Sequence, residues 1–256
     1  MIKRILALFS ILFLITSCVS NKKIVYLSEN NADSETINAV NYANVLQPDD
    51  NLVITVTADE PELAAPFNLM YLNLQSNQIN SGANNDVLIS YLIDSNGEID
   101  FAGLGKVKLA GLTRVEAEEK IRKMLEKQIT NPSVNLRVIN FKVSVIGEVN
   151  RPGPVNVVGD RITLLEALGT AGDMTIYGKR KEIMVIRDKD GVVTLNTVDI
   201  TSADFIKSEF FYLDHNDVVY VKPNKTKVNS SIIGPNLTVG ISAISLIVTI
   251  IALSTR

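Results

Sequence analysis

An apolar segment lies close to each end of the chain, and these two segments confine any folded domain to the residues between them. The first runs from Ile5 to Ile15 and follows two basic residues, Lys3 and Arg4. A short basic stretch before about eleven mostly apolar residues is typical of a secretory signal peptide, and it is too short to span a bilayer comfortably. We therefore predict a signal peptide at residues 1–17.

The signal peptide is followed by Cys18, which is the single cysteine of the chain. The preceding Ile15-Thr16-Ser17 resembles the bacterial lipobox, an aliphatic residue and two small residues before a lipidated cysteine. The resemblance implies cleavage before Cys18 and acylation of its thiol and new amino terminus, which would make the chain an envelope lipoprotein. The alternative is a plain signal peptide and an incidental cysteine, although a lone thiol has no disulfide partner in an oxidising compartment.

The second apolar segment lies near the end of the chain. No charged residue occurs from Val228 to Thr255. Residues 232–253 would form a helix about 33 Å long, which matches the thickness of the bilayer core. We predict a transmembrane helix at residues 228–254.

Four hydroxyl side chains of this tail fall within one narrow arc of the predicted helix: Thr238, Ser242, Ser245 and Thr249. Their spacing of i, i+4, i+7 and i+11 places them on one face. They are candidate pore-facing residues if several copies surround a water-filled channel. The alternative is that these hydroxyls bond back to carbonyls of their own helix or mark close packing between helices.

The sequence between the two apolar segments alternates short β-branched runs, turns and two short helices. Residues 18–43 are polar and predict a tether. Hairpin turns are predicted at Asp94–Gly97 and Asp188–Gly191. Two capping boxes, which predict helix starts, begin at Thr113 and Thr163, each followed three residues later by Glu. This pattern predicts the α+β class.

Two small β-rich domains, at residues 44–140 and 141–223, account for these elements. We therefore predict the order tether, first domain, second domain and transmembrane helix.

The composition argues against several functional classes. The net charge of −3 provides no basic stripe for nucleic acid. His215 is the single histidine, so neither a histidine-based metal cluster nor a Ser-His-Asp triad can be assembled. Its position in a turn before a strand favours a structural role. Because nothing selects any pair of carboxylates as acid and base, we predict no catalytic, cofactor-binding or metal-binding residues, and no enzyme.

Four motifs follow one another in the first domain: Tyr91 to Phe101, Gly103-Leu104-Gly105, Gly111-Leu112-Thr113 with Glu116-Ala117, and Pro132. Their order resembles the polysaccharide export sequence domain. Two positions depart from the pattern of that domain. Asp50 stands where glycine is usual, and Phe101-Ala102 stands where proline is common.

The second domain contains another ordered set of motifs: Val145 to Val149 before Pro152-Gly153, Thr163 to Ala167, Ala171-Gly172, and Leu213 to Val221. This set resembles the SLBB domain, a soluble-ligand-binding module of the β-grasp type. Asn216 stands where glycine is usual. With the lipobox in front, the chain resembles the Wza-type outer-membrane polysaccharide export lipoproteins.

This resemblance implies a homo-oligomeric ring that encloses a periplasmic cavity, with C-terminal helices that cross the outer membrane. It implies capsular polysaccharide or exopolysaccharide as cargo and an inner-membrane polysaccharide co-polymerase of the tyrosine-kinase type as partner. The lipid on Cys18 would anchor the chain in the outer membrane, with most of the chain in the periplasm. The alternative is a non-transporting envelope lipoprotein that binds glycan or peptidoglycan through its SLBB-like domain.

Overall fold

The computed structural model describes residues 25–27, 37, 39, 42–68, 90–189 and 191–232, and in the tail residues 242–243, 245–247 and 249–250. The predicted signal peptide, Cys18 and Thr238 lie outside the described residues. The described chain is α+β, as predicted, with β-sheets and short helices in two bodies that each have a hydrophobic core.

The strands of the first domain are β1 (Asn51–Thr57), β2 (Tyr91–Leu92), β3 (Glu98–Phe101), β4 (Gly105–Lys108) and β5 (Ser133–Val138). Its helices are α1 (Pro61–Ala64) and α2 (Arg114–Leu125). Strand β1 lies between β2 and β5 and runs antiparallel to both, while β3 pairs with β4. The sheet and α2 enclose one core, which includes Leu52, Ile54, Ile121, Leu125 and Leu136.

The predicted turn at Asp94–Gly97 is present, but the predicted hairpin around it is wrong. Gly97 has φ 78°, and its N–H donates to the Asp94 carbonyl oxygen over 2.8 Å. The strands on its two sides do not pair as a ladder, because β2 pairs with β1 and β3 pairs with β4. Pairing with the rest of the domain has overridden the local hairpin signal.

Both predicted capping boxes are present. In α2, the Glu116 N–H donates to the Thr113 hydroxyl over 3.3 Å, and the Thr113 N–H donates to the Glu116 carboxylate over 2.8 Å. The second box, between Thr163 and Glu166, starts α3 (Leu164–Thr170) in the same way. Each box satisfies amide groups that the first turn of a helix leaves unpaired.

The second domain contains the strands β6 (Lys142–Gly147), β7 (Gly153–Asn156), β8 (Ile162–Thr163), β9 (Gly178–Lys189), β10 (Val192–Val198), β11 (Tyr212–Leu213) and β12 (Val218–Pro223). Its five-stranded sheet has the order β10-β9-β12-β6-β7. Strand β12 is parallel to β6, whereas the other pairs of this sheet are antiparallel. The predicted hairpin before and after Asp188–Gly191 is confirmed by the pairing of β9 with β10.

After β12 the chain enters helix α4 (Lys225–Ile232). The tail residues that the structure describes, 242–243, 245–247 and 249–250, are also helical. Within the described residues, no helix has the length and apolar character needed to cross a membrane. Much of the segment predicted to be a transmembrane helix lies outside the described residues.

Candidate functional site

The junction between the two domains brings together most of the buried polar side chains. Strand β5 ends at Val138 and β6 begins at Lys142, so three residues connect the domains. Asn140, in the middle of this connection, accepts a hydrogen bond from the Asn51 N–H over 2.9 Å and donates to the Asp49 carbonyl oxygen over 2.8 Å. These bonds fix the connection to the start of β1.

Two turns with the same construction meet at this junction. In Gln47–Asp50 and in Asp214–Asp217, the fourth N–H donates to the first carbonyl oxygen over 3.2 Å. In each turn the side chain of the fourth residue, an aspartate, accepts from the first N–H over 2.8 Å. Each turn leads directly into a strand, β1 in the first domain and β12 in the second.

The third residue of each turn has a left-handed backbone, with φ 70° at Asp49 and 67° at Asn216. Glycine adopts this conformation most easily, and Asn and Asp adopt it more easily than other side chains. Asn216 therefore occupies a position suited to glycine, as the sequence indicated. The corresponding assignment of Asp50 is wrong by one residue, because Asp49 holds the left-handed position and Asp50 is the buried aspartate that follows.

Asp50 and His215 join the two turns. The distance from His215 Nδ1 to Asp50 Oδ1 is 2.5 Å, and the side chains are only 5% and 4% exposed. The centroid of the imidazole lies 5.6 Å from that of the Phe141 ring. This buried contact agrees with the structural role predicted for His215. In the part of the chain that the structure describes, no three His, Cys, Asp or Glu side chains are grouped to hold a metal ion.

Arg187, on β9, closes the turn that contains His215. Its Nη2 atom donates to Asp217 over 2.6 Å, and its Nε atom donates to the other oxygen of the same carboxylate over 3.0 Å. Its Nη1 atom lies 3.0 Å from Asp214. Burial works against the charge of Arg187, but the hydrogen bonds and charge of Asp217 outweigh this and raise the pKa of the guanidinium. A planar guanidinium suits this two-point contact with a carboxylate.

The segment before β1 continues across the junction onto the second domain. The Tyr42 ring lies against the Tyr212 ring with centroids 4.9 Å apart, and its hydroxyl donates to the Leu213 carbonyl oxygen over 3.1 Å. Burial raises the pKa of Tyr42, so it stays protonated and continues to donate. The Arg161 guanidinium lies 5.1 Å from the centroid of the Tyr212 ring. The segment that leads into the first domain therefore adds an aromatic contact to the acidic one made by Asp50.

An ion pair links the surfaces of the two domains beside these contacts. The Nε atom of Arg114, at the start of α2, lies 3.0 Å from an Asp160 carboxylate oxygen. Asn44 also donates to the Asp160 carbonyl oxygen over 3.3 Å. A cleft of about 710 Å³ lies here and is lined by residues of both domains, including Arg114 and Arg161.

The two buried carboxylates of the junction are engaged by groups of the protein itself. The two oxygens of Asp50 contact His215 and the Gln47 N–H, and both oxygens of Asp217 contact Arg187. General acid–base chemistry requires a group that can reach a substrate proton. The arrangement instead joins the two domains through a short connection and several cross-domain bonds.

Three of the four candidate pore-facing residues fall on described parts of the tail. The Ser245 hydroxyl donates to the Ser242 carbonyl oxygen over 2.9 Å, and the Thr249 hydroxyl donates to the Ser245 carbonyl oxygen over 2.8 Å. This is the back-bonding that the sequence left open as an alternative. A hydroxyl that bonds to its own helix can still line a pore, so the pore-facing role stays a prediction. Cys18 and Thr238 lie outside the described residues.

Sequence reasoning missed the contact between Asp50 and His215. The two residues are 165 positions apart, so local patterns carried no information on their proximity. One signal was available, because Pro48-Asp49-Asp50 and His215-Asn216-Asp217 both place an aspartate directly before an apolar strand. The repeated pattern predicts a similar turn before each of two strands, but it does not predict that the two turns are in contact.

Comparisons with known proteins match both domains. The model of the polysaccharide biosynthesis/export protein family matches residues 38–139, and that of the SLBB domain matches residues 141–221. The two matched regions thus meet at Asn140, inside the three-residue connection.

Two relatives carry the name EPS I polysaccharide export outer membrane protein EpsA. The protein from Ralstonia solanacearum is 28% identical over 141 residues, and the one from Ralstonia nicotianae is 30% identical over 141 residues. Each alignment covers 54% of this chain and 37% of the relative. The similarity therefore spans little more than a third of the length of these relatives.

Proposed function

We propose that the chain is a subunit of an outer-membrane channel that exports capsular polysaccharide or exopolysaccharide, because residues 38–139 match the model of the polysaccharide biosynthesis/export protein family and residues 141–221 match that of the SLBB domain. The observation that carries the proposal is the order of the two domains, held together by the junction contacts of Asp50 and His215. The names of the EpsA relatives support polysaccharide export and an outer-membrane location.

The proposed channel is a homo-oligomeric ring, and two features support this assembly. The short connection and the paired charges of the junction hold the two domains together, so that each subunit would enter the ring as a single unit. Strand β10 lies at the edge of the five-stranded sheet and exposes Val192, Val193 and Leu195 by 63%, 55% and 63%. Exposed apolar residues on an edge strand are suited to contact with another protein surface.

Two membrane attachments belong to the proposal. A lipid on Cys18 anchors the chain in the outer membrane, and the lipobox-like sequence supports this. The tail at residues 228–254 forms the membrane-crossing part of the ring, with Thr238, Ser242, Ser245 and Thr249 toward its pore. The uncharged sequence supports this second role, as do the exposed apolar side chains of Leu246, Ile247 and Ile250 on helical residues.

Within this proposal the protein moves a glycan and does not cleave it. An inner-membrane polysaccharide co-polymerase of the tyrosine-kinase type would deliver the cargo to the periplasmic side. The engaged carboxylates of the junction are consistent with a passive conduit, because they hold protein groups together.

Deletion of the gene, followed by complementation, tests the proposal. Secreted polysaccharide is expected to fall to background in the deletion strain and to return with the unmodified chain. The variant Cys18→Ser is expected to restore export poorly and to lose its fatty-acid label. Full secretion without the gene would contradict an export role.

Electron microscopy of the detergent-extracted protein tests the assembly. Closed rings would support the channel. A monomer that binds glycan would instead favour the non-transporting lipoprotein.

A further inference from the structure

One loop of the second domain is attached to segments near both ends of the chain. We call it the end loop, Asp173–Arg180, and its last three residues are the first residues of β9. It contains a turn in which the Gly178 N–H donates to the Thr175 carbonyl oxygen over 3.1 Å. Ile176 lies in this turn and is 65% exposed, although it is a large apolar residue. The loop therefore offers an apolar side chain to its surroundings.

The N-terminal segment is bound to the end loop through Tyr26. The Tyr26 hydroxyl donates to the Asp173 carboxylate, and the Arg180 guanidinium lies 5.5 Å from the centroid of the Tyr26 ring. The next N–H, of Leu27, donates to the Ile200 carbonyl oxygen over 3.1 Å. The predicted tether is thus docked on the second domain at this point.

The C-terminal segment is bound to the same loop through the start of α4. The Asn224 N–H donates to the Tyr177 carbonyl oxygen over 2.8 Å. One turn later, the Lys227 ammonium lies 5.3 Å from the centroid of the Tyr177 ring and 3.7 Å from Glu148. The two attachments are themselves connected, because Arg180 donates to the carbonyl oxygens of Thr175 and Gly178 over 3.3 and 3.0 Å.

The lengths of chain beyond these attachments limit how far the end loop can lie from a membrane. Tyr26 is eight residues after Cys18, and eight residues span at most about 28 Å when fully extended. The eight-residue helix α4 covers about 12 Å between Asn224 and the start of the apolar tail. A lipid on Cys18 and a tail in the bilayer would therefore hold this loop close to the same surface from two sides.

We propose that the end loop is a lipid-facing surface, with Ile176 lying at the headgroup boundary of the periplasmic leaflet of the outer membrane. The inference rests on the proposed function, because it requires the acylated Cys18 and the outer-membrane location. The occupant is a phospholipid surface rather than a second copy of the chain or a soluble partner.

The exposed side chains of the end loop and of its two attached segments have the chemistry of a membrane interface. Val25, next to Tyr26, is 52% exposed, and Val228 on α4 is 47% exposed. Tyr177 adds an aromatic ring with a polar tip, which is common at the level of the headgroups. Lys227 beside it can keep its ammonium group among the headgroups while its carbon chain covers apolar surface.

The chain contains no tryptophan, so a single introduced indole reports its own environment without background. The purified full chain with Ile176→Trp is reconstituted into vesicles of phosphatidylethanolamine and phosphatidylglycerol, with or without bromine on the acyl chains. Val158→Trp is the matched control. Val158 is also an exposed apolar residue of the second domain, but it lines a second cleft between the domains, together with Arg137 and Asn156.

Brominated lipid is expected to reduce the emission of Ile176→Trp, because interfacial apolar side chains reach the boundary of the acyl chains, and to leave the emission of Val158→Trp unchanged. Val25→Trp is expected to follow Ile176→Trp. The proposal would be overturned if bromine changed the emission of Ile176→Trp no more than that of Val158→Trp. A blue-shifted but unquenched Ile176→Trp would also overturn it, because the side chain would then face protein.

The same variants are tested for export in the deletion strain, which separates the two proposals. If Ile176→Trp restores export but is not quenched by lipid, the lipid-facing surface is wrong and the export function stands. If deletion of the gene leaves secretion unchanged, the proposed function itself is wrong.

Discussion

The Nδ1 atom of His215 lies 2.5 Å from the Oδ1 atom of Asp50, and this buried contact joins two turns of the same construction in two different domains. Each turn ends in an aspartate that accepts a hydrogen bond from the first N–H of its own turn. Each of these turns therefore has two roles. It starts a strand within its own domain, and it also contributes to the contact between the two domains.

Removing Asp50 should weaken the junction. Asp50→Ala leaves the buried Nδ1 atom of His215 without its partner, and we expect the free energy of unfolding to fall by about 2–4 kcal/mol. Denaturant unfolding of the purified chain measures this change. Asp49→Asn is the matched control and should change stability by less than about 0.5 kcal/mol, because Asp49 is exposed and Asn also adopts its left-handed backbone.

The contact itself can be isolated with a double-mutant cycle of Asp50→Ala and His215→Ala. We expect a coupling free energy of about 1–3 kcal/mol, since the two side chains touch. Additive single changes would contradict a direct energetic connection between the two turns.

Arg187 should not be replaceable by lysine. Arg187→Lys keeps the positive charge but loses the two parallel bonds to Asp217, so we expect a loss of about 2–4 kcal/mol in stability. Thermal unfolding of the purified chain is the measurement. Lys189→Ala, an exposed position on the same strand, provides the reference. If Arg187→Lys lost as little stability as Lys189→Ala, the positive charge of Arg187 would be sufficient and its two parallel bonds would not matter.

Gly147 should tolerate no side chain. It has φ 93°, and a Cβ atom placed there would lie 2.1 Å from the Val221 carbonyl oxygen of the parallel neighbour β12. Gly147→Ala is therefore expected to lower the free energy of unfolding by at least about 2 kcal/mol more than Gly105→Ala. Gly105 also has a left-handed backbone, at φ 72°, but open space around it. Equal losses would mean that backbone strain, and not the clash, determines the cost.

The turn at Asp94 should contribute to stability in a pH-dependent way. The N–H groups of Glu98 and Asn96 donate to one Asp94 oxygen, each over 2.9 Å, and they hold the pKa of this carboxyl below its usual range. Its contribution is therefore present above the ordinary pKa of about 3.9 and is lost as the pH falls through the lower folded pKa. Asp94→Asn should therefore make stability fall less steeply as the pH is lowered. Thermal unfolding at a series of pH values measures this dependence. An unchanged dependence would contradict this role.

The hydroxyl stripe of the tail should be needed for export. Replacing Thr238, Ser242, Ser245 and Thr249 together by Leu removes every polar group of the stripe, and we expect export or ring assembly to be impaired. Secreted polysaccharide in the complemented deletion strain is the measurement. Ile247→Leu with Ile250→Leu is the matched control on other positions of the tail. Normal export by the fourfold variant would contradict a pore-facing role.

The features predictable from the sequence were those with a local physical cause. The capping boxes at Thr113 and Thr163 depend on side chains three residues apart, and both are present. The β9–β10 hairpin was predictable because its turn sequence joins two apolar runs that are neighbours in the chain. The glycine-like backbone of Asn216 was also predictable, since its chemistry tolerates that conformation.

The features that were missed depend on distant partners. The strand after the Asp94 turn pairs with β4 and the strand before it pairs with β1, so each has a partner that the turn sequence does not identify. Tyr26 and Asp173 are in contact although they are 147 positions apart. The polar sequence of the predicted tether does not indicate where on the second domain it binds. The assignment of Asp50 to a glycine position failed by one residue because only the backbone shows which aspartate of the pair is left-handed.

The central place of β12 in the second sheet has a consequence for folding during synthesis. Strand β12 alone pairs with both β9 and β6, so a chain that emerges N-terminus first holds two unjoined half-sheets until Val218–Pro223 has arrived. The apolar tail follows within a dozen residues of Pro223. Closure of the sheet and emergence of the apolar tail are therefore nearly simultaneous, and the tail emerges beside a domain that has only just become able to fold.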